Sequence, residues 1–244
     1  MRQPYFNIFL DIVDKTNALK ICSEILTNNS CKTLFFVNAH CFNVAQKDTE
    51  YRNVLKNSDY IFNDGIGLKL GSLLAGVRFI DNLNGTDLIP EIIKEGVRQN
   101  KNIYFVGCPV GVGLRAKHNL EKQYKKINIV GVWHGFFSEE EEKKIVIDIN
   151  EKKTDILIVG MGVPKQELWI SKIKSQLTTV KICIAGGAII DFIAGDIKRA
   201  PSWMRNLNLE WMYRLYLEPR RMWKRYLIGN FYFFYNLFKR LYKD

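Results

Sequence analysis

The sequence of 244 residues lacks any long hydrophobic run. No segment approaches the roughly 20 consecutive apolar residues that a membrane-spanning helix needs. The apolar segment near the N-terminus is interrupted by Asp11 and Asp14, so we expect no signal peptide. These two absences predict a cytoplasmic protein whose contact with any membrane is peripheral.

Cysteine and histidine are also scarce. The five cysteines form no CxxC pair, and the three histidines are far apart in the sequence, so no zinc-binding pattern is present. Several cysteines lie in apolar runs, which favours free thiols in a reducing compartment. No DxD pair occurs either, so a site that handles diphosphates would need something other than a carboxylate-held metal. We expect neither a metal nor a cofactor.

A dinucleotide fingerprint is missing as well. The glycine loop 107–113 does not read GxGxxG, and no acidic residue follows it at about 20 positions as a ribose ligand. Such a loop still presents backbone N–H groups at the start of a helix, which favours phosphate. We therefore expect Gly107 and Gly111 to bind a phosphate of the substrate, with a simple tight turn as the alternative.

Positive charge and aromatic residues, by contrast, are abundant near the C-terminus. The whole chain has a net charge of +11, and residues 198–244 alone hold eleven Lys or Arg against three acids. Thirteen of the 31 aromatic residues lie in the same segment. Basic, aromatic-rich segments are typical of contact with an anionic surface. We expect residues 199–244 to form a helical, membrane-proximal appendage in which Phe231, Phe233 and Phe234 contact lipid.

Apolar runs and amphipathic stretches alternate along residues 1–198, which predicts an α/β core. The predicted strands are residues 33–38, 60–62, 102–106, 127–133, 155–159 and 181–185. Helical patterns follow them, and this alternation is typical of a Rossmann-like, mostly parallel sheet with helices on both faces. Residues 5–13 predict a strand or hairpin at the sheet edge. The composition changes near Arg199, where we place the boundary with the appendage.

Polar residues follow several of these strands. Asn38, Asp64, Gln166 and Gly186 each come at or after a predicted strand end. The carboxyl ends of parallel strands lie at one edge of the sheet, where ligands usually bind, so these residues are expected to line one cleft. Asp64 has two interpretations at this point: a catalytic carboxylate, or the N-cap of the following helix.

The appendage offers cations for such a cleft. Arg214, Arg221 and Arg225 are spaced seven and four residues apart, which would align them on one face of an uninterrupted helix. Pro219 is expected to end one helix and begin the next. Guanidinium groups bind phosphate oxygens in a bidentate manner, so these arginines are candidates for binding a diphosphate.

Taken together, these motifs resemble one known family. The residues that carry the resemblance occur in a fixed order: Asn38, Asp64-Gly-Ile-Gly67, Asn84-Gly-Thr-Asp87, Gly160-Met-Gly-Val-Pro-Lys-Gln-Glu167, Gly186-Gly187, Arg199-Ala-Pro-Ser-Trp203, Leu209-Glu-Trp-Met-Tyr-Arg214 and Glu218-Pro-Arg-Arg221. With them, nearly the whole chain resembles the WecG/TagA/CpsF family of bacterial glycosyltransferases.

The resemblance implies an inverting, metal-independent transferase. Its substrates would be a UDP-sugar donor and an acceptor sugar linked to a polyprenyl diphosphate, in the synthesis of teichoic acid or another surface polysaccharide. Asp64 would be the general base, and the appendage would close over the site at the inner membrane leaflet. The remaining assignments are Arg214 and Arg221 for catalysis, and Asn38, Asn84, Asp87, Gly107, Gly111, Gln166, Gly186, Arg220 and Arg225 for substrate binding.

Two positions depart from the family pattern, and two other functions stay open. Phe36 and Asn82 stand where Thr and Arg are common in the family, so the donor sugar is left undetermined. The basic appendage is also compatible with nucleic-acid binding, which we do not expect because it leaves the polar strand ends unexplained. An oxidoreductase is the second alternative, and the missing fingerprint argues against it. The oligomeric state is open, a homo-oligomer included.

Overall fold

A computed structural model describes residues 2–241, so the last three residues of the appendage lie outside the described part. It contains eight strands. Their bounds are β1 Arg2–Tyr5, β2 Ile8–Asp11, β3 Lys32–Val37, β4 Tyr60–Asn63, β5 Asn102–Gly107, β6 Asn128–Trp133, β7 Ile156–Gly160 and β8 Ile182–Ala185.

Six of these strands form a central sheet in the order β4-β3-β8-β7-β5-β6. Every pairing in this sheet is parallel. Parallel neighbours need crossover connections, and the helices between the strands supply them. The predicted Rossmann-like α/β sheet is therefore confirmed.

Thirteen α-helices lie within the described residues. Their bounds are α1 Lys15–Thr27, α2 Ala39–Lys47, α3 Thr49–Lys56, α4 Ile66–Leu74, α5 Gly85–Arg98, α6 Val112–Gln123, α7 Glu139–Glu151, α8 Lys165–Ile173, α9 Ile189–Ala194, α10 Ser202–Asn206, α11 Glu210–Leu217, α12 Pro219–Trp223 and α13 Gly229–Leu241. A 3-10 turn, Lys174–Gln176, follows α8, and a π-helical turn, Lys224–Ile228, joins α12 to α13. Pro219 begins a new helix, as predicted.

Local sequence explains where several helices begin. The Asp14 side chain accepts a hydrogen bond from Asn17 N and caps α1. Ser138 and Glu141 form a capping box at the start of α7, whose first turn is acidic and so complements the helix dipole. These caps satisfy N–H groups that a helix cannot pair internally, which is why they fix the helix start.

Both faces of the sheet are buried. Along β3, Phe35 and Val37 belong to one hydrophobic cluster, whereas Leu34 and Phe36 belong to the other. Successive side chains of a strand point to opposite faces, so an uninterrupted apolar run serves both clusters. The helices therefore cover both faces of the sheet.

The N-terminal hairpin lies against the edge of this sheet without extending it. Strands β1 and β2 pair with each other in a separate antiparallel sheet. The Asp11 carboxylate accepts a hydrogen bond of 2.8 Å from Ile61 N of the edge strand β4. The Asp11 side chain thus accepts a hydrogen bond from a backbone N–H of the edge strand, in place of a neighbouring strand.

The last helix, α13, is part of the hydrophobic core. It packs against α2 and α4. Phe233 and Leu237 are fully buried, and the Phe233 ring meets the Phe42 ring edge to face at 5.3 Å. Asn43 Nδ2 also donates a hydrogen bond of 2.7 Å to Gly229 O. The predicted boundary between a core of residues 1–198 and an appendage of residues 199–244 stays a prediction. The packing of α13 holds these two parts of the chain together.

The prediction that three phenylalanines of α13 contact lipid is wrong for Phe233. Phe231 is 78% exposed, but Phe233 is fully buried and Phe234 lines the cavity described below. Positions 233 and 237 are four residues apart and lie on the one helix face that packs on the core. Between residues 2 and 241, no helix is both long and apolar enough to cross a membrane.

Candidate active site

A cavity of about 450 Å³ lies between the carboxyl ends of β3 and β4 and the helices of the appendage. Residues before position 90 line one side of it: Asn38, Ala39, His40, Asp64, Gly65, Ile66, Gly67, Leu70, Asn82, Asn84, Thr86 and Asp87. Residues of the appendage line the other side: Arg205, Leu207, Asn208, Leu209, Glu210, Trp211, Arg214, Arg225, Tyr226, Asn230 and Phe234.

The sheet register brings Asn38 and Asp64 together. Val37 and Asn63 are register partners at the ends of β3 and β4, so the residues that follow them are neighbours. Asp64 N donates a hydrogen bond of 2.7 Å to Val37 O, and Asn38 Nδ2 donates one of 3.2 Å to Asp64 Oδ2. The Asn38 side chain is itself fixed, because its Oδ1 caps α2 by accepting from the backbone N of His40 and Cys41.

The alternative that Asp64 caps α4 is wrong. Gly65 is the N-cap, with a φ of 88°, and no side chain makes the capping hydrogen bond. A positive φ of this size favours glycine. Gly65 N instead donates a hydrogen bond of 2.7 Å to Asn82 Oδ1, which fixes the turn after β4. The Asp64 carboxylate is left facing the cavity.

The surroundings of Asp64 raise its pKa above the usual range for an aspartate. Burial is the largest cause, and the nearby Glu210 carboxylate acts in the same direction. The hydrogen bond from Asn38 and the charges of Arg225 and Arg214 oppose the rise without cancelling it. A carboxylate with a raised pKa accepts a proton more readily, which suits a general base.

Asn84 and Asp87 line the cavity and also stabilise the start of α5 and its contact with Arg199. Asn84 caps α5 by accepting from Asp87 N at 2.8 Å, and its Nδ2 donates to Asp87 Oδ2 at 2.7 Å. Arg199 Nη2 lies 2.6 Å from Asp87 Oδ1, and Arg199 Nε lies 3.3 Å from Glu210 Oε1. Arg199 therefore connects α5 of the core to α11 of the appendage.

Two of the predicted arginines reach the cavity. The Arg214 guanidinium lies 5.2 Å from the Phe192 ring, and that of Arg225 lies 5.8 Å from the Tyr226 ring. In both side chains Nε is buried and has no hydrogen-bond partner among the described residues. Both side chains are half-buried, line the cavity and act on the Asp64 carboxylate through their positive charges.

The other two predicted arginines do not line the cavity. Arg221 Nε pairs with Glu218 Oε2 at 2.7 Å, one helical turn away, and the side chain is 58% exposed. Arg220 is exposed on the same short helix, α12. Glu218, with a φ of -131° and a ψ of 60°, interrupts the helix between Arg214 and Arg221, so the arginines do not share one face of a continuous helix. A functional role for Arg220 and Arg221 stays a prediction.

The predicted glycines at or after the ends of β5 and β8 do not line the cavity either. A Cβ on Gly107, whose φ is 131°, would lie 2.4 Å from Gly160 O, so only glycine allows β5 and β7 to end side by side. A Cβ on Gly186 would lie 2.6 Å from the Ile189 side chain. Gly111 is the left-handed N-cap of α6. The predicted phosphate contact of Gly107 and Gly111, and the predicted substrate contact of Gly186, stay predictions.

Gln166 is buried and lies outside the cavity. Its Oε1 accepts from Gly162 N at 3.2 Å and from Gly187 N at 3.0 Å, which ties together the loops after β7 and β8. Its Nε2 donates to Glu167 Oε1 at 2.8 Å. Glu167 is fully buried, and burial raises its pKa to about 8 despite this hydrogen bond. The predicted contact between Gln166 and substrate stays a prediction.

Several cavity residues were not predicted from the sequence. Glu210 and Arg205 come from the appendage, and their approach to Asp87 and Asp64 depends on how the appendage folds back. His40 has a local signal, because it lies two residues after Asn38 at a strand end. Burial, aided by the charge of Arg225, lowers the pKa of His40 to about 4. The imidazole is therefore neutral near pH 7.

Trp211 and Tyr226 of the appendage also line the cavity. Their rings lie 6.0 Å apart and form part of the cavity wall. The cavity therefore combines three carboxylates (Asp64, Asp87 and Glu210), three guanidinium groups (Arg205, Arg214 and Arg225) and an aromatic surface. Within residues 2–241, no group of three or more His, Cys, Asp and Glu side chains is arranged to hold a metal ion.

Comparison with known proteins identifies relatives with one activity. The chain is 34% identical over 191 residues to an N-acetylglucosaminyldiphosphoundecaprenol N-acetyl-beta-D-mannosaminyltransferase of Bacillus subtilis, covering 78% of this chain and 73% of the relative. It is 31% identical over 217 residues to a Staphylococcus aureus protein of the same name, covering 87% of this chain and 83% of the relative. A Bacillus spizizenii protein of that name is 30% identical over 183 residues, covering 75% and 70%.

A family model gives the same result over a longer span. The model of the Glycosyl transferase WecG/TagA/CpsF family matches residues 4–244, which includes both sides of the cavity. The resemblance inferred from the motifs is therefore confirmed. Together with the relatives, this match shows that the chain is a glycosyltransferase and belongs to the WecG/TagA/CpsF family.

Proposed function

We propose that this protein transfers an N-acetylmannosamine-type sugar, with inversion, from a UDP-sugar to N-acetylglucosamine linked to a polyprenyl diphosphate. The acceptor and the sugar follow the activity that the relatives' names state. The observation that carries the proposal is the presence, in one cavity, of the Asp64 carboxylate and the Arg214 and Arg225 guanidinium groups. The product would enter wall teichoic acid or another surface polysaccharide.

Asp64 is assigned the role of general base in this reaction. Inversion by a single displacement needs one base that takes the proton of the acceptor hydroxyl while its oxygen bonds to the anomeric carbon. The raised pKa of Asp64 and its orientation by Asn38 support this assignment. The bond to the leaving UDP breaks in the same step, and negative charge then develops on the diphosphate.

The arginines are assigned to the diphosphates. Fixed cations in a water-poor site stabilise developing negative charge strongly, so they can serve where other transferases use a metal ion. The position of Arg214 and Arg225 in the cavity wall, close enough for their charges to act on Asp64, supports this role. We keep Arg221 and Arg220, with Gly107 and Gly111, as candidates for contacts with the donor, which would lie at the same edge of the sheet.

The appendage is assigned to the membrane surface, where a polyprenyl acceptor resides. Trp203, Tyr216 and Phe231 are 59%, 81% and 78% exposed. Exposed aromatic residues combined with Lys and Arg favour the interface of an anionic bilayer. In the cavity, Trp211 and Phe234 offer an apolar surface for the first isoprene units of the lipid.

The proposal is tested by measuring UDP release with the full-length protein. A panel of UDP-sugars is offered together with a short-chain lipid-diphosphate N-acetylglucosamine, with and without excess EDTA. We expect turnover with UDP-N-acetylmannosamine, unchanged by EDTA, and a product of inverted anomeric configuration by NMR. Retention of configuration, or activity that EDTA abolishes and Mg²⁺ restores, would contradict the proposed mechanism. Activity only with other nucleotide sugars would contradict the donor.

A further inference from the structure

Two thiols lie together at the sheet edge opposite the active-site cavity. Cys31 immediately precedes β3, and Cys183 is the second residue of β8. In the register of these paired strands, Thr33 is the partner of Cys183, so Cys31 lies two positions away on the same face. The two Sγ atoms are 3.6 Å apart, which is close contact.

The surroundings of the pair favour a thiolate on Cys31. The hydrogen bond from the Cys183 thiol is the largest influence and lowers the pKa of Cys31, and the charges of Lys174 and Lys32 act in the same direction. Burial and the charge of Asp59 raise the pKa of Cys31, but the net shift is downward. Both lysines are held in place, at 2.6 Å and 3.2 Å from the Asp59 carboxylate. Cys31 is half-buried and Cys183 fully buried.

The remaining three cysteines lie in different surroundings. Burial raises the pKa of Cys22 and of Cys41 to about 12, and that of Cys108 to about 11. All three are buried. Because the thiolate is the reactive form, Cys31 combines accessibility, a lowered pKa and a neighbouring thiol in a way that these three do not.

From this geometry we infer that Cys31 and Cys183 form an oxidation site that takes a hydroperoxide and becomes an intramolecular disulfide. The Cys31 thiolate attacks one peroxide oxygen. An S–O bond forms, the O–O bond breaks, and the second oxygen leaves as water or an alcohol after taking up a proton. Cys183 then attacks the resulting sulfenic sulfur; an S–S bond forms and the S–O bond breaks, releasing water. Two thiols lose two electrons and one hydroperoxide gains them.

The step requires only a local movement. The two sulfur atoms must approach by about 1.5 Å to reach a disulfide bond length of about 2.05 Å. Cys31 lies just outside β3, so rotation of its side chain and a small shift of the preceding segment can supply this approach. The bond would join β3 to β8 at their amino ends.

The experiment uses the folded full-length protein and hydrogen peroxide in small excess. After treatment, the protein is denatured and alkylated with N-ethylmaleimide, and its intact mass is measured. We expect five labelled thiols before oxidation and three afterwards. A proteolytic digest should contain one peptide pair that joins Cys31 to Cys183 and separates on reduction. Five labelled thiols after treatment, or a cross-link between two chains, would overturn the inference.

Variants assign the two roles. In Cys31→Ser the remaining thiols should be oxidised at least about tenfold more slowly, because the thiolate is lost. In Cys183→Ser, Cys31 should stop at the sulfenic acid, which dimedone traps. Cys22→Ser is the matched control and should form the same disulfide as the parent. Equal oxidation of the parent and Cys31→Ser would overturn the inference, and because Cys31 is half-buried this variant is expected to fold.

Discussion

At the scale of single residues, Asp64 is a cavity-lining carboxylate whose burial lowers the stability of the fold. Its pKa is raised in the folded protein, chiefly by burial. At a pH below the pKa of Asp64 in the unfolded chain, the carboxyl group is protonated in both states and burial has no cost from charge. As the pH rises through the higher pKa of the folded protein, the group ionises in its buried position, and the free energy of unfolding falls. At neutral pH the ionised Asp64 carboxylate therefore destabilises the folded protein.

We predict that Asp64→Asn loses transfer by about 10²- to 10⁴-fold, the usual effect of removing a general base, while its Tm does not fall. An asparagine keeps an oxygen that can accept from Asn38 and carries no charge to desolvate. The measurements are UDP release and thermal denaturation at pH 7.

The matched control is Asp48→Asn, since Asp48 caps α3 and asparagine caps a helix equally well. It should retain the parent rate. If a folded Asp64→Asn protein kept more than about a tenth of the parent turnover, Asp64 would not be the general base.

The buried Glu167 gives a prediction on pH. Its pKa is about 8 against an ordinary value of 4.5, so the folded protein binds more protons than the unfolded chain between these values. Stability contributed by Glu167 is then lost as pH rises through this window. We expect the Tm of the parent to fall relative to that of Glu167→Gln between pH 5 and pH 8, since glutamine keeps the acceptor oxygen for Gln166.

Thermal denaturation at several pH values compares the two proteins directly. All other titrating groups are shared, so the difference in slope belongs to Glu167. Parallel curves across the window would show that Glu167 is not protonated in the folded state.

At the scale of elements, α11 is held over the cavity by Arg199. We predict that Arg199→Ala lowers transfer at least about tenfold, because Glu210 and Asp87 would face each other without their shared cation and the positioning of Arg214 would be lost. Limited proteolysis should cut α10 and α11 faster than in the parent.

Arg98→Ala is the control for this change. Arg98 pairs with Glu95 at 2.9 Å on an exposed helix face, and such pairs contribute little. It should leave both rate and proteolysis unchanged. If Arg199→Ala behaved like Arg98→Ala, the bridge would have no part in positioning the appendage.

Helix α13 has an exposed face, which includes Phe231, and a buried face, which includes Phe233. We predict that Phe231→Ser weakens binding to anionic vesicles with little change in Tm, since this ring is 78% exposed. Phe233→Ser should instead destabilise the fold by about 3–5 kcal/mol, the usual cost of removing a buried phenylalanine ring. Vesicle sedimentation and thermal denaturation of the two variants separate the roles. A stable Phe233→Ser protein that no longer sediments would place that ring at the lipid surface instead.

At the scale of the whole molecule, the appendage completes both the cavity and the core. Ending the chain at Ile228 removes Phe233 and Leu237, both fully buried. We expect such a protein to lose at least about 10 °C in Tm or to be insoluble, from the summed cost of two vacated core positions. Ending the chain at Lys239 keeps both residues and serves as the control. Equal Tm values for the two truncated chains would contradict the core role of α13.

The sequence by itself determined which segments are strands and helices, and in what order. Apolar runs such as 33–37 and caps such as Asp14 and Ser138 act over a few residues, so their meaning is independent of the rest of the fold. The parallel sheet followed from the alternation of these elements. The family followed from ordered motifs, and Asp64 was singled out by its position after a strand.

Only the tertiary structure decided which of the strand ends share a cavity. Asn38 and Asp64 meet because β3 and β4 are neighbours in register, whereas Gly186 follows β8, on the side of β3 away from β4, and Gly107 ends β5, further along the sheet. Strand order and the folding back of the appendage depend on contacts between distant residues, which spacing along the chain does not encode. For the same reason the sequence did not separate Arg214, which lines the cavity, from the exposed Arg221 seven residues later.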